Sequence, residues 1–209
     1  MSRDKVSPHT VERLSQYLRA LRDSLKAGEV QLSSADIARK SGTTAAQVRK
    51  DLSFFGSFGK KGYGYDVFDL IDTLEAILGV DKRWKVALVG FGRLGQSIAL
   101  YKGLPESGFD ICAIFEKDPD KIGGSFRGVE IYGCCDLLEV CEERGILLAI
   151  AAVPPEAAEE VFQRLLDAGI RGILNFTGHT GFKPPPHAFV KDMNMAAEME
   201  FLSYYVSHH

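Results

Sequence analysis

The residues best placed to do chemistry are Gly90, Gly92 and Gly95, which cut off the apolar run Val86-Ala87-Leu88-Val89 at the spacing G-x-G-x-x-G. Between a strand and a helix each glycine has its own task. Gly90 allows a tight turn, Gly92 lets a pyrophosphate approach the backbone, and Gly95 lets the helix pack close to the strand. Phe91, Arg93 and Leu94 fill the intervening positions, and Gln96 to Tyr101 continue as a helix whose first N–H groups face the phosphates. A plain tight turn would use the same glycines; the strand that follows weights the reading toward a nucleotide. Ile111 to Phe115 is that strand, and it ends at Glu116, 21 residues after Gly95. A carboxylate there suits the adenosine ribose hydroxyls of NAD and repels the 2′-phosphate of NADP. Lys117 beside it weakens the repulsion.

Such a site needs a sheet to hold it. Val129 to Tyr132, Ile146 to Val153 and Gly172 to Phe176 read as further strands, with helices over Asp136 to Arg144 and Glu156 to Ala168. This alternation predicts an α/β fold, a Rossmann-like doubly wound parallel sheet. Ligands of such sheets bind at the carboxyl ends of the strands. That rule adds Lys117, Val153, Pro154, Asn175, Phe176 and Thr177 to the cofactor-binding set. Met195 to Val206 reads as a closing helix.

With 209 residues, 45% hydrophobic and 25% charged, the composition is that of a globular protein. There is no apolar stretch of membrane-spanning length and no signal-peptide pattern, so the expected compartment is cytoplasmic, with no membrane partner. None of the four cysteines forms a C-x-x-C or has a histidine at zinc-ligand spacing, so no metal site is expected. Cys134 and Cys135 are adjacent and could form a redox thiol site; spectator thiols are the plainer reading. The net charge of −3 hides a split, with +6 over residues 1–65 and −9 over residues 66–209. A basic head on an acidic body points the head toward a polyanion.

The head reads as a string of short helices. Ser7-Pro8 starts the first, with Val11, Leu14, Leu18, Leu21 and Leu25 on one apolar face. Ser33 to Ser41 forms a second, and Thr44-Ala45-Ala46-Gln47 is a capping box opening a third through Ser53. Helix, glycine-containing turn and helix make a helix-turn-helix pattern, and the outward face of the third helix carries Ala46, Gln47, Arg49, Lys50 and Ser53. Arg and Lys suit guanine edges and phosphates, and Gln suits adenine. Phe54 to Tyr65 alternates aromatics with glycine, a β-hairpin with Ser57, Lys60 and Lys61 at its tip, as in a winged helix. Asp66 caps a fourth helix with Val67, Leu70, Ile71, Leu74 and Leu78 inside, and Gly79 to Lys85 links it to the sheet. The expected division is 1–80 for a winged helix-turn-helix, 81–192 for the nucleotide domain and 193–209 for a C-terminal helix.

Gln47-Val48-Arg49-Lys50-Asp51-Leu52-Ser53, Phe55-Gly56 and Gly59-Lys60-Lys61-Gly62-Tyr63-Gly64-Tyr65 resemble the winged-helix domain of the redox-sensing repressor family Rex. Gly90-x-Gly92-Arg93-Leu94-Gly95, Phe115-Glu116-x-Asp118-Pro119 and Gly172-Ile173-Leu174-Asn175-Phe176 resemble its nucleotide domain. The resemblance runs from about Thr10 to Tyr205. It implies a homodimeric bacterial repressor that binds palindromic, double-stranded operator DNA, senses NADH/NAD+, and leaves the DNA when NADH closes the dimer. It also implies a closing helix exchanged between subunits, with Arg19, Tyr101 and Asn194 as dimer and switch residues. The family often has Asp where this chain has Glu116, and Asp near the start of the closing helix where this chain has Asn194. With Asn194 in that place, an intersubunit charge pair to Arg19 becomes a plain hydrogen bond. Two rivals remain at this point. An NAD-dependent dehydrogenase would need an acid or base near the nicotinamide. His179 is the only histidine after a strand end, and no length is left for a substrate domain. A regulator sensing another nucleotide, such as coenzyme A or NADP, is the second rival.

Overall fold

Ser7 and Pro8 start helix α1 (Pro8–Lys26): the Ser7 hydroxyl accepts from the Thr10 N–H, and Pro8 occupies a first-turn position that needs no donor. The computed structural model describes residues 6–56, 58 and 63–208. The chain divides into two units, one ending at Lys82 and the other beginning at Arg83.

In the first unit, α1 is followed by β1 (Gln31–Leu32), α2 (Ser34–Ser41), α3 (Ala45–Ser53), β2 (Tyr65–Asp66) and α4 (Val67–Leu78). Leu14, Tyr17, Leu18 and Leu21 of α1 pack with Ile37, Val48, Leu52, Val67, Leu70 and Leu74 into one core. Val11, expected on that face, is 43% exposed, and the core position goes to Tyr17. The expected capping box of α3 is half made. Thr44 accepts from the Gln47 N–H, but the Gln47 amide turns forward to Asp51 instead of back to Thr44. Of the hairpin expected over Phe54 to Tyr65, residues 57 and 59–62 lie outside the described residues, and its first two residues need correction. The Phe54 and Phe55 N–H groups bond back to the Asp51 and Leu52 carbonyls, so these residues extend the last turn of α3. The strand partner of Tyr65 is Leu32, and β1 and β2 run antiparallel. Ser57, Lys60 and Lys61 lie outside the described residues.

The second unit begins with β3 (Trp84–Val89), so the expected linker is shorter than Gly79 to Lys85. Then follow α5 (Arg93–Leu100), α6 (Gly103–Glu106), β4 (Phe109–Glu116), β5 (Ser125–Phe126), β6 (Val129–Gly133), α7 (Leu137–Arg144), β7 (Leu148–Ala151), α8 (Ala158–Asp167), β8 (Gly172–Asn175), β9 (Phe189–Asp192) and α9 (Met195–His208). The sheet order is β5-β6-β4-β3-β7-β8-β9, parallel throughout except for β5 against β6. This is the doubly wound arrangement that the alternation predicts. Ala87, Val89, Ala113 and Phe115 bury one face under Leu137 and Val140 of α7 and Phe162 and Leu165 of α8. Val86, Leu88 and Ile114 bury the other under Ile98 of α5 and Leu104 of α6. Strand β7 stops at Ala151, shorter than expected, and β5 and β9 are strands that the sequence pattern does not announce.

Candidate nucleotide cleft and nucleic-acid face

The strand order reverses at β3, whose neighbours β4 and β7 continue in opposite directions, and a crevice opens beyond the carboxyl ends there. A cleft of about 530 Å³ occupies the place. Gly90, Gly92, Arg93 and Leu94 form its floor, Glu116 and Lys117 one side, and Val153 and Pro154 the other.

The three glycines are needed for three different reasons. Gly90 has φ +94°, and a Cβ on it would meet the Ala152 carbonyl oxygen at 2.5 Å. On Gly95 a Cβ would meet the Gly90 carbonyl oxygen at 2.1 Å, so the helix rests on the strand end at the closest possible distance. Gly92 has open space within 4 Å of its Cβ position, so only a bound group would make a side chain there a problem. Gly92 also N-caps α5, and no side chain caps that helix. Its first N–H groups and the positive end of its dipole face the cleft.

Glu116 is 8% exposed, yet its carboxylate is well used. Oε2 accepts from the Phe91 N–H at 2.6 Å, and Oε1 accepts from the N–H groups of Lys117 and Asp118 at 3.0 and 3.1 Å. The carboxylate thus pins the glycine loop to the end of β4 and keeps roughly one of about four acceptor sites for a ribose hydroxyl. Phe91 turns its ring into the core, edge-on to Phe126 at 5.1 Å, and offers the cleft side only its backbone.

The reading from sequence missed the rear wall: Lys121, Cys134, Glu160 and Arg164 also line the cleft. Arg164 donates to the Cys134 carbonyl at 2.6 Å, tying α8 to the turn after β6. Nothing local marks this pair, which is 30 residues apart in the chain. With Arg93, Lys117, Lys121 and Arg164 against Glu116 and Glu160, cations outnumber anions by two in the lining, which matches a pyrophosphate dianion. Burial pushes the Cys134 thiol up, and Cys141 up to about 11, which favours the protonated thiol over the nucleophilic thiolate at both. Among the described residues no group of His, Cys, Asp and Glu is placed to hold a metal.

Five of the expected cofactor residues, Phe91, Gly95, Asn175, Phe176 and Thr177, do not line the cleft. Asn175 donates to the His179 carbonyl and to Asp192, both at 2.7 Å, and accepts from the N–H and hydroxyl of Thr177. The Thr177 hydroxyl accepts in turn from the His179 N–H. Their side chains therefore organise the loop after β8 and anchor β9. Phe176 packs into the core beneath α5 and α6. His179 sits edge-on to Phe162, on the opposite face of the sheet from Phe176. Tyr101 lines a separate cavity of about 210 Å³ with Leu104, Asp110, Phe126 and Arg127. Within one chain it gives the cleft nothing. Asn194 caps α9, its Oδ1 accepting from the N–H groups of Ala196 and Ala197. Arg19 is exposed on α1.

In the first unit, Val48 and Leu52 bury the inner face of α3, leaving Ala46, Arg49, Lys50 and Ser53 exposed and Gln47 half-buried. Arg49 donates to the Ser34 hydroxyl at 2.9 Å, which steadies its stem against α2. The feature not foreseen is Asp51, fully buried behind this face and paired with Arg13 of α1. Burial alone would push its carboxyl up, but hydrogen bonds from Arg13, Tyr17 and Gln47 outweigh that and hold it below the usual range.

Comparison with known proteins covers both units. A family model described as a putative DNA-binding protein N-terminus matches residues 5–53, and one described as a CoA binding domain matches residues 81–179. The chain is 41% identical to the redox-sensing transcriptional repressor Rex of Desulfitobacterium hafniense, over 97% of this chain and 96% of the relative. It is 40% identical to the Rex of Roseiflexus, over 94% of this chain and 89% of that one. Among solved structures, RSP in complex with β-NAD+ and operator DNA matches with a TM-score of 0.90 and 34% identity, covering 97% of this chain and 93% of RSP. RSP in complex with β-NADH matches at 0.87 and 32%, covering 99% and 96%.

Proposed function

This chain belongs to the Rex family of redox-sensing transcriptional repressors, and on that premise we propose that it binds operator DNA through its first unit and NADH or NAD+ through its second, NADH weakening the hold on DNA. The observation that carries the reading is the pairing, in one chain, of an uncapped α5 facing a dinucleotide cleft with a helix-turn-helix that presents Arg49 and Lys50. RSP, with the same two units, has been solved with both kinds of ligand. The protein is a regulator rather than an enzyme, and a cytoplasmic one, since it must meet the chromosome. Among the described residues no helix is long and apolar enough to cross a membrane.

The working form is a homodimer on a palindromic operator. Helix α9 supports this: every residue from Met195 to His208 is exposed, including Met199, Phe201, Leu202 and Val206. An apolar helix that finds no cover in its own chain is suited to a second copy. In that dimer Tyr101 and Asn194 act across the interface, Asn194 toward Arg19. Two recognition helices read two half-sites only at a spacing of about one DNA turn, ~34–36 Å, or its multiples. A rotation of the sheet units about their shared interface would misplace one of them.

Glu116→Gln tests the cleft. Its oxygen can still take the Lys117 and Asp118 N–H groups, but its NH2 would face the Phe91 N–H, donor against donor. NADH affinity should fall by about tenfold or more, the worth of one charged hydrogen bond at ~1.5–3 kcal/mol, and the preference over NADPH should shrink, both read by calorimetry. The coupling is tested by measuring NADH affinity with and without operator fragment at one salt concentration. Linkage requires DNA to weaken NADH binding by the factor that NADH weakens DNA binding, typically ~5–150-fold. Equal affinities would refute the coupling even if both ligands bind. The family description naming coenzyme A favours a second reading, an acyl-CoA sensor. Titration with NADH, NAD+, NADPH and acyl-CoAs separates the two.

A further inference from the structure

The Asp51 carboxylate takes four hydrogen bonds beneath the outer face of α3. Arg13 donates from Nε at 2.6 Å and from Nη2 at 2.7 Å, the Tyr17 hydroxyl at 2.8 Å, and Gln47 Nε2 at 2.8 Å. An ionised carboxylate has about four acceptor sites and no donor, so this one is full. Arg13 also cancels its charge, so an approaching phosphate backbone meets no net repulsion from beneath the helix.

The second consequence concerns Gln47. A glutamine amide has nearly the same shape either way round, and in water it can offer a base either end. Facing a carboxylate it cannot. Only the NH2 bonds to Asp51 Oδ1; reversed, Gln47 Oε1 would lie against it, acceptor against acceptor. Gln47 is the third residue of α3 and half-buried, in the first turn that helix-turn-helix proteins lay against base edges. Its neighbours Arg49 and Lys50 carry donors only.

We infer that Asp51 is a positioning residue that fixes the Gln47 amide, so that Gln47 presents its carbonyl oxygen to the major groove and selects a base that donates there, adenine through N6 or cytosine through N4, at one position of each half-site. The inference rests on the DNA-binding reading above and adds to it the chemistry of one base contact.

The test uses the full-length protein to select duplexes from a randomised pool, with Gln47→Met beside the wild type. Methionine has a similar length and leaves the Arg13–Asp51–Tyr17 bonds in place. The same operator should emerge, with a preference lowered by about tenfold at a single adenine or cytosine position and unchanged elsewhere. Nitrogen-15 NMR of the wild type should show a Gln47 side-chain NH2, assigned by its absence from Gln47→Met, with one proton protected from solvent exchange. Asp51→Asn satisfies either amide orientation. Where circular dichroism shows it folded, it should lose the same single-position preference and that protection; where it does not fold, the exchange measurement on the wild type decides. An unchanged selection profile for Gln47→Met overturns the inference, as does a Gln47 amide whose two protons exchange at solvent rates. A folded Asp51→Asn that loses preference equally at every position overturns the positioning role. In each of those cases an operator is still enriched and the DNA-binding reading stands. If no sequence is enriched by the wild type, the DNA-binding reading falls and the inference with it.

Discussion

Asp51→Ala should destabilise the first unit by about 3–5 kcal/mol, the usual cost of removing one partner from a buried ion pair. Two effects set the figure. Arg13 keeps 26% of its side chain exposed and would regain some water, which lowers the charge penalty. Tyr17 is 1% exposed, and although Thr43 still bonds its hydroxyl, the lost acceptor adds ~1–3 kcal/mol. Against a total stability of roughly 5–15 kcal/mol the loss is large, and for a unit of this size it should lower the melting temperature by more than roughly 10 °C. Differential scanning calorimetry would show it, and a drop under about 1 kcal/mol would mean that the network is ornamental. The same groups set the pH range. The folded Asp51 carboxyl titrates below its unfolded value, so its contribution is complete above about pH 4 and is lost as the pH falls through the depressed folded value. Burial, and then the bond to Asp51, push the Tyr17 hydroxyl up to about 12, so its contribution is lost as the pH rises from about 10 through about 12.

The glycines of the cleft should fall into two phenotypes. In Gly95→Ala the new Cβ would lie 2.1 Å from the Gly90 carbonyl oxygen and 3.0 Å from its carbon, both backbone atoms that cannot swing aside. Helix α5 must lift off the strand, at the upper end of the ~1–3 kcal/mol that overpacking costs or beyond it, and nucleotide binding should be lost with the loop. Gly92→Ala meets nothing within 4 Å. Its melting temperature should match the wild type to within the ~0.5 kcal/mol of an ordinary surface change. Its NADH affinity should nevertheless fall at least about tenfold, because the methyl takes the space the pyrophosphate needs. Thermal melts and calorimetric titration on the two variants give the comparison. A Gly92→Ala protein that binds NADH like the wild type would move the pyrophosphate out of this cleft.

What the sequence disclosed, and what it hid, follows from how local each feature is. The glycine spacing, the Ser7 and Asp66 caps and the strong apolar strands at the sheet centre are written within a few neighbouring residues, and all are legible. Strand β9 is not. It has four residues, Phe189–Asp192, mostly exposed at a sheet edge, and it follows a run of three prolines. Alternation and burial are weak signals there, and the strand is held by its parallel pairing with β8 and by Asn175 reaching Asp192. Asp51 hid for a similar reason. Nothing near it on a helix that otherwise reads as cationic marks it as buried, and its partners Arg13 and Tyr17 lie 38 and 34 residues back. Asn175 and Thr177 sit at and just past a strand end, where the position alone suggests a ligand. Position alone could not reveal that their hydrogen bonds close on each other.

The order of strands in the sheet bears on how the chain is born. Synthesis delivers β3 first, then β4 beside it and β6 beside β4, and only afterwards β7, β8 and β9 on the opposite flank. Apart from the two-residue β5, which must wait for β6, each arriving strand docks at an existing edge and never has to wedge itself between neighbours already joined. One flank of β3 must nevertheless wait for β7, from Val89 to Leu148. At the usual ~5–20 residues per second of translation the wait is roughly 3–12 s. During it, an apolar strand edge that is central in the finished protein stands open to other nascent chains, which makes the pace of the ribosome across residues 90–148 a determinant of how much of this regulator reaches its native form.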